Sequence, residues 1–108
     1  MAKQIVKVEK DELEHVLKTQ EVAGYFYWDY WEFCSGHFEH LKTYPAGTLS
    51  TDHLQSELNE LYEQSLEQFE EYKKKIHPCV TQGIYIGYFD DVKEDFHVIG
   101  SRWPEDDA

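Results

Sequence analysis

Cysteine, cationic residues and long apolar runs are all scarce in this 108-residue chain. Its two cysteines, Cys34 and Cys79, lie far apart without the spacing of a disulfide framework, so reduced thiols in a reducing compartment are expected. No stretch approaches the roughly 20 apolar residues that span a bilayer, and Met1 to Lys7 lacks the apolar core of a signal peptide. A cytoplasmic protein with no membrane partner is therefore expected. Lys and Arg together number 10 against 22 Asp and Glu, giving a formal net charge of -12. That balance argues against direct binding to nucleic acid, which relies on cations neutralising phosphates, and favours a basic partner. No glycine-rich phosphate loop, His-Glu-x-x-His zinc motif, Gly-x-Ser-x-Gly elbow or EF-hand loop occurs.

What the chain does have is apolar and aromatic bulk. It is 41% hydrophobic and 16% aromatic, too much for a solvated acidic tail, so one folded domain over residues 1–108 is expected, with 104–108 fraying. Ile5 to Val8 reads as a first strand. A short helix follows, capped by Asp11 and buried through Leu13, Val16 and Leu17. Tyr25 to Phe33 contains seven aromatics in nine residues and reads as a strand. Phe26, Trp28, Tyr30 and Glu32 share one face of it; Tyr25, Tyr27, Asp29, Trp31 and Phe33 share the other. An amphipathic helix is the competing reading.

Gly36 to Ser50 has no sustained period and reads as a loop. From Thr51 to Ile76, Leu54, Leu58, Leu61, Ser65, Phe69, Tyr72 and Ile76 recur at spacings of three and four, predicting one long amphipathic helix stopped by Pro78. Gly83 to Phe89 and Phe96 to Gly100 read as an antiparallel hairpin around Asp90 to Asp95. The order β-α-β-α-β-β predicts an α+β domain: a mainly antiparallel sheet of about four strands with one long and one short helix packed on it.

The acidity is unevenly distributed. Residues 1–20 balance, whereas residues 21–50, 51–76 and 77–108 carry net charges of -3, -4 and -5. On the long helix, Glu60, Glu63, Glu67, Glu70 and Glu71 fall opposite the apolar stripe. Neighbours three and four apart on a helix lie roughly 5–6 Å from each other, comparable with the phosphate spacing of a nucleic-acid strand. The ordinary alternative is a solvated outer face, with Glu70–Lys74 and Glu71–Lys75 pairs offsetting some repulsion. Aromatics beside carboxylates suit an interface with a partner rich in Arg and Lys, although core packing explains many such rings. The partner-binding candidates are thus Asp29, Glu32, Glu60, Glu63, Glu67, Glu70, Glu71, Asp90 and Asp91, with Trp28, Trp31 and Tyr62 as anchors.

Candidates for chemistry are fewer. Cys34, His37 and His40, with His77 and Cys79, supply N and S ligands that zinc could use, and Cys34 beside an imidazole could act as a nucleophile. Neither pattern assembles the positioned roles an enzyme needs. No catalytic residue, metal or cofactor is therefore assigned, and a small metal- or thiol-dependent enzyme using Cys34, His37 and His40 stands as an alternative.

In size, charge and aromatic content over the whole chain, the sequence resembles the small acidic inhibitors of phages and mobile elements. These include DNA mimics that block host nucleases, CRISPR complexes or repair enzymes. It also resembles immunity proteins that neutralise nuclease toxins. The resemblance implies a non-enzymatic inhibitor of a basic, nucleic-acid-binding protein or nuclease, acting in the cytoplasm of a host cell if phage-encoded. An antitoxin is the alternative, and self-association through the aromatic face a further one.

Overall fold

The computed structural model describes residues 5–30, 37–75, 80–90 and 95–104; at 30, 72–75, 80 and 81 it describes the backbone alone. The elements in chain order are β1 (Ile5–Lys7), a 3-10 turn (Lys10–Glu12), α1 (Leu13–Thr19), β2 (Val22–Tyr30), β3 (His37–Tyr44), α2 (Thr51–Gln64), α3 (Leu66–Lys75), β4 (Val80–Phe89) and β5 (Phe96–Arg102). The strands form one sheet in the order β1-β5-β4-β2-β3. β1 runs parallel to β5 and the other pairings are antiparallel.

The α+β class agrees with the sequence reading, but the sheet is mixed and has five strands rather than four. The additional strand, β3, occupies the segment read as a loop. Its apolar residues Phe38, Leu41 and Tyr44 are three apart, which hides the two-residue period of a strand. The register explains the spacing: Tyr25 pairs with His40 and Gly24 with Lys42, so Leu41 is an extra residue that resets the alternation. As an edge strand, β3 carries exposed His37, Glu39, His40 and Lys42, charged and polar groups that discourage further strand pairing.

The helices pack on one face. Leu17, Val22, Phe26, Leu58, Leu61, Phe69, Ile84, Ile86 and Ile99 belong to one buried cluster between them and the sheet. α2 approaches the sheet so closely that a Cβ on Gly24 would collide with Leu61. The short helix begins through the 3-10 turn, so Asp11 lies inside that turn and is not its cap. Ser50 stands at the N-cap of α2, where a serine side chain commonly caps, but its Oγ meets His53 Nδ1 at 2.7 Å and caps no backbone N–H.

The single long helix of the sequence reading is in fact two. Ser65, with φ -101° and ψ 5°, ends α2, and its N–H donates to both Leu61 O and Tyr62 O. Its own carbonyl then accepts from Phe69 N–H and starts α3. The periodic stripe crosses the break intact, which is why periodicity alone does not reveal it. Leu58, Leu61, Ser65 and Phe69 are all buried. Ser65 Oγ, however, has no hydrogen-bond partner among the described residues, a destabilising arrangement in a core position. The stop at Ile76 and Pro78 lies outside the described residues.

Candidate protein-binding surfaces

β2 divides its residues between two environments. Even-numbered Phe26 and Trp28 face the helices, whereas Tyr25, Tyr27 and Asp29 face the other side, as their alternation predicts. On β4, Gly83, Tyr85, Gly87 and Phe89 alternate onto that same second face. Among the described residues no helix lies over it. Aromatic rings cover it instead: Tyr25 meets Phe38, Phe89 and Phe96 at centroid distances of 5.9, 5.5 and 5.5 Å. Tyr85 meets Tyr27, Phe96 and Trp103 at 5.0, 5.8 and 5.3 Å. Trp103 lies over Gly83, where a Cβ would collide with its ring. This tiling removes Phe96 completely from solvent, yet leaves Phe89 37% exposed.

The tyrosines of this open face sit among carboxylates. Tyr27 donates its hydroxyl hydrogen bond to Asp29. Burial raises the phenol pKa of Tyr25 and of Tyr85, and the nearby charges of Glu21 and Asp29, respectively, raise them further. At one end of the face, Glu21, Ala23, Tyr25, His40, Thr43 and Phe89 help to line a cleft of about 350 Å³. The His40 ring, hydrogen-bonded to Thr43 Oγ1 at 2.7 Å, stands edge-on to Tyr25 in that cleft.

The second acidic region is the outer surface of the helices. Glu60, Glu63, Glu67, Glu70 and Glu71 are exposed, the first two on α2 and the others on α3. They are not consecutive rungs of one rod, because Ser65 interrupts the helix between them. Leu66, 48% exposed, lines a shallow depression with Glu67, Glu70 and Glu71. Glu57, on α2, is engaged internally: it accepts hydrogen bonds from Tyr44 Oη at 2.8 Å and Lys42 Nζ at 3.1 Å. Tyr44's hydroxyl, above all, holds its carboxyl below the usual glutamate range. The side chains of Lys74 and Lys75 lie outside the description, so the expected pairs with Glu70 and Glu71 do too.

Comparison with protein-family models, curated proteins and solved structures finds no match to this chain.

The partner-binding candidates therefore divide among separate surfaces. Asp29 is half-buried on the aromatic face, opposite the helices. Asp90, also half-buried, is paired through Oδ2 with His97 Nε2 at 3.4 Å, beside the stacked Tyr88 and His97 rings. Tyr62 is no surface anchor: it is 8% exposed, packs on Phe69, and lies beneath the Arg102 guanidinium at 4.2 Å. Its position beside Leu58 and Leu61 on the inner side of α2 accounts for the burial. Trp28 is half-buried against the helical core and stacks on His37 at 4.1 Å, so only part of its ring is available. Glu32, Trp31 and Asp91 lie outside the described residues.

His37 and His40 also part company. Spaced by three on a strand, they take opposite faces: His37 stacks on Trp28 on the helix side, whereas His40 meets Tyr25 on the open side. The spacing that would unite them on a helix separates them here. No group of three metal-ligating side chains occurs among the described residues, while Cys34, His77 and Cys79 lie outside them. Nor is any described helix long and apolar enough to cross a membrane.

Proposed function

We propose that this chain is a small acidic inhibitor, without catalytic activity of its own, that binds a basic nucleic-acid-binding protein. The supporting observation is the outward display of Glu60, Glu63, Glu67 and Glu70, all exposed and none in an ion pair with a described residue. Such carboxylates retain their charge for a partner, unlike Glu57, whose charge is already engaged. Long-range attraction between this surface and a cationic groove speeds encounter, and the exposed Leu66 supplies apolar contact among the charges. Competition with nucleic acid for that groove is the inhibitory mechanism.

The test is affinity capture of a partner from the producing cell or its phage host, followed by competition with DNA and RNA. The reading expects a basic partner whose binding weakens with salt and is displaced by nucleic acid. Glu63→Lys with Glu67→Lys, one change on each side of the break, should weaken binding at least about tenfold through repulsion. Unchanged affinity in this double variant removes the helical surface from the account. A captured partner that still binds nucleic acid normally in the complex removes the mimicry.

A further inference from the structure

We infer that the cleft at the end of the open aromatic face receives an arginine side chain from the partner protein, seated against Tyr25 and Phe89 with Glu21 as its counter-ion. The inference rests on the basic partner proposed above and assigns its contact to a different surface from the helical carboxylates.

The geometry supplies the parts that a guanidinium uses. Tyr25 and Phe89 meet edge-to-face at 5.5 Å, and Phe89 keeps 37% of its surface exposed beside the cleft. Glu21, exposed at the cleft, continues the β2 alternation onto this face, and its charge reaches Tyr25. No lysine or arginine lines the cleft among the described residues. A planar guanidinium stacks on rings and makes forked hydrogen bonds to a carboxylate, whereas an ammonium is compact and more strongly hydrated. Within the chain Arg102 lies over the Tyr62 ring at 4.2 Å and Lys42 over the Tyr44 ring at 5.1 Å, the guanidinium making the closer approach.

Charge and composition also select the occupant. A second copy would bring another net charge of -12 to this carboxylate-bearing face. It would also offer no spare guanidinium: the chain's single arginine, Arg102, is engaged on the helix side by Asn59 and Tyr62. A basic protein supplies the missing group and the opposite charge together.

Titration of aromatic-¹³C-labelled protein with oligoarginine and oligolysine of equal length tests the assignment. Oligoarginine should bind about fivefold more tightly and shift the ring resonances of Tyr25 and Phe89, the scale of one partly exposed cation–π contact. Glu21→Gln, a change at an exposed side chain, should reduce that preference by removing the forked contact to a carboxylate while leaving the rings in place. Replacing Glu60, Glu63, Glu67 and Glu70 by Gln should weaken both peptides alike and preserve it. Equal affinities, or shifts confined to α2 and α3, would overturn the arginine cleft while leaving the acidic-inhibitor reading intact. A preference of unchanged size in Glu21→Gln would overturn Glu21 as counter-ion. Failure of both peptides to bind the unmodified protein would overturn both readings.

Discussion

The two faces of the sheet bury aromatic rings by different means. On the helix side, Phe26 lies beneath Phe69 of α3, and α2 closes over Gly24 through Leu61. On the other side, Phe96 is as completely buried as Phe26, yet the strand-borne rings of Tyr25, Phe38, Tyr85 and Phe89 do the covering. The comparison teaches that helices are not required to bury an apolar sheet face when aromatic side chains can lie across glycines. It also separates two surfaces: the helix side presents carboxylates outward from a conventional core, whereas the open side leaves ring edges available.

The largest test of that comparison is a matched pair. Phe26→Ala and Phe96→Ala should each destabilise the protein by about 3–5 kcal/mol in urea unfolding, the scale for emptying an aromatic core site. A much smaller loss for Phe96→Ala would show that the open face is a surface patch and not a second core. Phe89→Ala, at a partly exposed ring, should cost less than either.

A smaller effect distinguishes the faces by pH. Tyr44 and Lys42 of β3 both donate to Glu57 of α2, a polar tie that is specific to the helix side. Tyr44→Phe should cost about 1.5–3 kcal/mol near neutrality, as expected for a hydrogen bond to a charged group. Because the folded-state pKa of Glu57 is lowered, this contribution is fully present above the unfolded value of about 4.3 and is lost as pH falls through the folded value. Stability profiles of wild type and Tyr44→Phe should therefore converge as pH falls from the unfolded value through the lower folded one. Persistence of the full difference there would assign the effect to packing.

The helix break gives a test of opposite sign. Ser65 combines complete burial with a hydroxyl that has no partner among the described residues. Ser65→Ala removes that hydroxyl and adds helix propensity, so the variant should gain about 1 kcal/mol in urea unfolding. A loss instead would mean that the hydroxyl is needed to set the bend between α2 and α3.

The sequence made regular alternation visible and local departures from it obscure. Tyr25, Tyr27 and Asp29 were separable from Phe26 and Trp28 because two-residue periodicity is strict in a strand. The Gly83-x-Tyr85-x-Gly87-x-Phe89 pattern, placing small residues beside rings on one face, was an available signal for the open aromatic surface. Pairing was needed to interpret it, since Trp103 and Phe96 reach those glycines from another element. In β3 the extra Leu41 disguised the strand, and in the long helix Ser65 kept the apolar period while its backbone angles left the helical range. Burial of Tyr62 was legible by contrast, since it follows Leu58 by four residues and adjoins Leu61 on the inner side of α2.

The smallest predicted effect concerns the helical carboxylates themselves. Glu63 lies next to the C-terminus of α2, where a negative charge opposes the helix dipole, and three residues from Glu60. Glu63→Gln should therefore stabilise the fold by a few tenths of a kcal/mol at low ionic strength. Salt should erase the gain because Glu63 is exposed and its repulsion is screened. The same substitution should weaken binding to a basic partner, so opposite signs for stability and affinity would identify a charge maintained at a structural cost. A parallel loss of both would place Glu63 in the support of the fold, leaving contact with the partner to the aromatic face.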